Sequence, residues 1–138
     1  MSSTKIIIAG LIGFVSAFLL GWVLYGMLLS GFFEANAGTA TNVGRADEEI
    51  VFWSLLVANL FYGFLIAVTF GVIGNVKGLG DGLKYGALLT FLMSGFFDFI
   101  MYATTNIMNV NAVMVDIAVA TLMGAIVGAI VGWYYGRE

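Results

Sequence analysis

Two aspartates lie where this chain is otherwise apolar. Asp98 follows Ser94-Gly95-Phe96-Phe97, Asp116 follows Val115, and each sits inside a long hydrophobic run. An acid so placed has three chemistries open to it. Asp98 can be protonated and hydrogen-bonded to Asn59, a tyrosine or Ser94. It can share one proton with Asp116, as coupled carboxyl groups do. Or it can bind a cation. The first state is structural, whereas the second and third give a proton or cation relay. No Lys or Arg lies in the interior of an apolar run to neutralise either acid. A charge near the middle of a membrane span costs about 2.5–3.5 kcal/mol on insertion scales, so Asp98 is the stronger signal. Asp116 lies near the start of its run, where an acid also favours the positive end of a helix.

Helical spacing brings further polar groups to these acids. Residues four apart share one face of a helix. Read at that interval, the first run has Ala9, Gly13, Ala17, Gly21 and Tyr25, and the second has Asn59, Gly63, Ala67, Gly71 and Asn75. The third has Thr90, Ser94, Asp98, Tyr102 and Asn106, and the fourth has Asp116, Ala120, Gly124, Gly128, Gly132 and Gly136. Small residues in this pattern let helix backbones approach closely, which is how membrane helices associate. Gly13, Ala17, Gly21, Gly63, Ala67, Gly71, Gly124, Gly128 and Gly132 are therefore expected at helix contacts, as a glycine zipper. At 1.5 Å per residue, Tyr25 and Asp116 fall about 6 Å below one boundary, Asp98 about 10 Å and Asn59 about 12 Å. The expectation is a polar cluster of Tyr25, Asn59, Asp98 and Asp116 in the outer half, with Ser94, Tyr62 and Tyr102 beside it.

The elements that must position this cluster follow from composition. The chain has 138 residues, 62% hydrophobic and 9% charged, with a mean hydropathy of +1.06. A soluble domain carries about 25% charged residues, so this surface belongs in lipid. Four runs reach the roughly 20 residues that a bilayer needs: 6–29, 50–74, 83–105 and 112–136. The first has an apolar core much longer than the roughly 7–15 residues of a signal peptide, and so reads as a span. Fold class follows: an all-α, polytopic four-transmembrane-helix bundle, one transmembrane domain over 1–138 with an outer loop at 30–49. Lys5, Lys77, Lys84 and Arg137 share one side, while Arg45 stands among acids on the other. The positive-inside rule then makes both termini cytoplasmic.

Several chemistries are excluded or disfavoured. Cysteine and histidine are absent, which removes disulfides, thiol chemistry and imidazole ligands for haem or chlorophyll. No nucleophile–base pair or zinc set is present, and "GNVKGLGDG" (74–82) lacks the phosphate-loop spacing. No catalytic residue, metal site or cofactor is expected, and the protein reads as no enzyme. No basic cluster suggests nucleic acid. Asp47-Glu48-Glu49 is expected to favour the start of the second span rather than to bind calcium. Trp22, Trp53, Trp133, Tyr134 and Tyr135 fall near span ends and are expected in the interfacial belt.

"SGFF" occurs twice, at 30–33 before Glu34 and at 94–97 before Asp98. Two accounts remain open, an old helical-hairpin duplication and coincidence in a sequence rich in Gly and Phe. In either case the first copy ends a span at the interface while the second holds its acid inside.

"GWVLYG" (21–26), "YGALLTFLMSGFFDF" (85–99) and "VDIAVATLMGAIVGAIVGWYYG" (115–136) resemble small four-span bacterial membrane proteins grouped only as domains of unknown function. That resemblance implies a multi-pass protein of the bacterial inner membrane and supplies no site residues. Two function classes follow from the residues. One is a transporter or channel-type component whose carboxylate cluster relays protons or a cation, working as a homo-oligomer or in a larger membrane complex. The other is a structural or accessory subunit that docks through glycine-rich helix faces.

Overall fold

The structure is a computed structural model that describes residues 1–137. Four of its helices are long and apolar enough to cross a membrane: Ser3–Leu28, Phe52–Gly74, Leu79–Thr104 and Val110–Gly136. The first is α1 (Ser3–Gly21) continued by a π-helical stretch, Trp22–Leu28. A short helix α2 (Ser30–Ala35) follows it. Then come α3 (Phe52–Val68), itself continued by π-helical Thr69–Gly74, α4 (Leu79–Thr104) and α5 (Val110–Gly136). A helix satisfies its own backbone polar groups, which is why apolar runs of this length take this form in lipid.

Local signals set the helix starts. Ser2 Oγ accepts from the Lys5 amide at 3.2 Å, and Asn109 Oδ1 from the Ala112 amide at 3.0 Å. Both side chains satisfy amides that the first turn leaves without carbonyl partners. α4 begins four residues before the expected Leu83. Gly80, Asp81 and Gly82 look like loop by composition, yet Asp81 suits the positive end of a helix and Gly82 is buried in a helix contact. The acids Asp47–Glu49 form a 3₁₀ turn of their own, and extended Ile50 separates them from α3. They therefore do not reach its first turn as expected.

The helices are packed in the order α3–α1–α5–α4, with α5 central. α4 packs extensively on α5 alone, although the short connection 75–78 joins it to α3. Asn75 and Gly78 both take positive φ in that connection, 46° and 98°, and the Gly78 amide bonds the Gly132 carbonyl at 2.7 Å. α4 is thereby turned onto α5 from its first residue. At the same end, Lys5 Nζ donates to the carbonyls of Tyr135 (3.2 Å) and Arg137 (3.0 Å), so a cation caps the negative end of α5.

Tyr135 departs from the expected aromatic belt. It is fully buried, and its hydroxyl donates to the Ala67 carbonyl at 2.7 Å, tying α5 to α3. The reason is a vacancy in the π-helical continuation of α3, where Gly71 leaves room for the phenol. Trp22, Trp53 and Trp133 are exposed, and Arg137 lies 4.6 Å above the Trp133 ring.

At the opposite end the two connections are clamped together. The Gly38 amide bonds the Ile107 carbonyl (2.9 Å), the Ala40 amide that of Asn106 (3.0 Å), and the Asn109 amide that of Asn36 (3.1 Å). Asn109 Nδ2 adds a side-chain bond to Asn36 Oδ1 at 3.2 Å.

Candidate functional site

The site is set by how α4 meets α5. A Cβ added at Gly86 would lie 2.9 Å from Gly128 Cα, and one at Gly82 would lie 3.0 Å from Gly132 Cα. Real Cβ atoms do not come this close, so the two backbones touch where only glycine fits. Thr90 fills the next step, packing onto Gly124 while its hydroxyl bonds its own Gly86 carbonyl at 2.9 Å. The pairs run antiparallel in steps of four: Gly82 with Gly132, Gly86 with Gly128, Thr90 with Gly124. Two more steps bring Asp98 opposite Asp116.

The structure places the two carboxyl groups there, in contact with each other. Asp98 is 5% exposed, and its Oδ2 has no hydrogen-bond donor. Ionised carboxylates only accept, so this contact is a hydrogen bond only when one of the two carries a proton. Asp116 is half-buried, and its Oδ1 accepts from the Tyr25 hydroxyl at 2.6 Å. That bond ties α1 to α5. Tyr25 lies within the π-helical stretch, where the Leu29 amide reaches back five residues to the Leu24 carbonyl at 2.9 Å. Such wide turns are frequent at functional sites. Past Leu29 the chain folds into α2, whose Phe33 ring stacks on Tyr25 at 5.6 Å. Tyr62 on α3 is within electrostatic reach of Tyr25, and its buried hydroxyl has no partner.

Tyr25, Asp98 and Asp116 thus come together, with Tyr62 near. Two other candidates bond within their own helices. Asn59 Nδ2 donates to the Leu55 carbonyl (2.8 Å) and Ser94 Oγ to that of Phe91 (3.3 Å). Tyr102 is 46% exposed on the outer part of α4. Asn59 stands apart because it lies on α3, whereas α4 packs on α5.

Among the residues expected at helix contacts, Gly13 and Gly63 face each other, a Cβ at Gly13 falling 2.9 Å from Gly63 Cα. Ala17 and Ala67 are fully buried, and Gly71 lies against Tyr135. Gly124, Gly128 and Gly132 are buried against α4. Gly21 differs, since a Cβ there meets only the Met123 methyl at 3.8 Å, an ordinary contact.

Two parts of the site escaped the sequence reading. Gly82 and Gly86 were readable, since stepping back by four from Thr90 reaches both. Phe33 was not, because only the break at Leu29 brings its ring over Tyr25. Comparison with family models, curated proteins and solved structures finds no match for this chain.

Proposed function

We propose that the protein is a transporter or channel-type membrane component in which Asp98 and Asp116 hold and pass on a proton or a cation. The observation that carries this reading is a buried Asp98 beside a second carboxyl group, its Oδ2 given no donor. An acid kept for structure alone would be expected to end in a donor. This one ends at another acid, and a proton or a cation completes the pair. Tyr25 extends the arrangement onto α1, and Tyr62 offers an open hydroxyl on α3.

The end that gathers Lys5, Lys77, Lys84 and Arg137 is taken as cytoplasmic by the positive-inside rule. The acid pair then lies in the outer half of a bacterial inner-membrane protein. Four helices in this order leave little room for a pore, so conduction would need a second copy or another membrane subunit. The alternative, an accessory subunit docking through glycine faces, is disfavoured because Gly13, Gly63, Gly124, Gly128 and Gly132 are consumed within the chain.

The test is proton and cation flux in proteoliposomes, wild type against Asp98→Asn. Flux that vanishes in a folded variant supports the relay. Absence of flux in both proteins turns the assignment toward the accessory subunit.

A further inference from the structure

We infer that the Asp98–Asp116 pair is a binding site for one monovalent alkali cation, which a proton displaces. This rests on the relay reading and names its substrate class. The oxygens that converge here are the two carboxyl groups and the Tyr25 hydroxyl, with Tyr62 within electrostatic reach of Tyr25. Oxygen donors suit hard cations and disfavour copper or zinc. Among the described residues no third acid joins them to make a metal cluster. Calcium takes 6–8 oxygens and magnesium a near-ideal octahedron that keeps several waters. Two carboxyl groups, one already accepting from Tyr25, fall short of both.

Charge argues the same way. With one proton the pair has a net charge of one negative unit, and with one monovalent cation in its place the charge is unchanged. Tyr25 from α1 faces the pair and Tyr62 from α3 lies within electrostatic reach of Tyr25, and neither brings a positive charge. Exchange of H⁺ for an alkali ion therefore leaves the electrostatics of the bundle as they were, whereas a divalent ion would not. One orphan oxygen marks the place: Asp98 Oδ2, in a side chain 5% exposed, with no donor. As the cation binds, the proton between the carboxyl groups leaves to water, one released for each ion bound.

The experiment is thermal unfolding of the purified full chain in detergent, titrated with lithium, sodium, potassium, calcium or choline chloride at constant ionic strength and several pH values. A ligand that binds only the folded state raises the midpoint with concentration. The expected result is a rise with an alkali ion over choline. Its half-saturating concentration should increase about tenfold per pH unit lowered where proton and ion compete one for one. Asp98→Asn and Asp116→Asn should lose that response, while Asp98→Glu, which keeps the carboxyl group, should shift it. No difference between alkali ions and choline in the wild type at any pH overturns the inference, as does stabilisation by calcium above all others. Proton flux without an ion response overturns the inference and leaves the relay standing. An ion response without flux supports the site and removes the relay.

Discussion

Asp98 on α4 faces Asp116 on α5 in the same antiparallel register that sets Gly86 against Gly128 about three turns away along each helix. The acid pair and the glycine contact are one register read at two depths. Whatever separates the backbones at the glycines also separates the carboxyl groups.

Gly128→Ala tests that link. The new Cβ would fall 2.8 Å from Gly86 Cα, backbone that cannot rotate aside. Overpacking of this kind costs about 1–3 kcal/mol. Reversible unfolding in mixed detergent should report the loss, and Gly95→Ala, where nothing lies within 4 Å of the new Cβ, should leave stability nearly unchanged.

Tyr25→Phe removes the only donor to Asp116 Oδ1 among the described hydrogen bonds. Interhelical hydrogen bonds in membranes are worth about 0.6–1.7 kcal/mol, so a loss near the upper end is expected for a 2.6 Å contact. A double-mutant cycle with Asp116→Asn isolates the pair: the two losses should not add. Additive losses would mean that the hydroxyl and the carboxylate do not interact.

A proton between Asp98 and Asp116 has a spectroscopic mark. Infrared difference spectra of the wild type at neutral pH should contain the carbonyl band of a buried carboxylic acid, absent from both Asp98→Asn and Asp116→Asn. The amide introduced by either change donates to the remaining carboxylate, so no proton is needed. Persistence of the band in both variants would assign it elsewhere and dissolve the shared-proton description.

Tyr135→Phe keeps the ring and deletes the bond to the Ala67 carbonyl. A loss of about 0.5–1.5 kcal/mol is expected. Gly71→Ala should cost more, because its Cβ would lie 2.9 Å from the Tyr135 hydroxyl and displace the side chain. The same unfolding assay orders the two.

Fold class was legible because four long apolar runs leave lipid as the only solvent in which this chain can be ordered. Three members of the polar cluster, Tyr25, Asp98 and Asp116, were legible from the four-residue spacing. Asn59, Ser94 and Tyr102 were grouped with them by the same spacing and by depth, and neither says which helices are neighbours. That order is set by Gly78, Gly82 and Gly86, which bind α4 to α5 and leave α3 on the far side. Tyr135 was misplaced for a related reason. Position near a span end suggests the interface for any tyrosine, and only the gap at Gly71 on another helix draws this one inward.

The glycine contact also acts as a ruler. No interlocking side chains hold α4 on α5 between Gly82 and Gly86, so the place of Asp98 is counted off in residues along the helix from that fixed point. Inserting one residue between Thr90 and Ser94 would rotate Asp98 by about 100° and carry it away from Asp116 toward lipid. Removing a residue would do the same in the other direction. The spacing from Gly86 to Asp98 is thus a length that this protein can vary far less than the identity of the apolar residues lying between them.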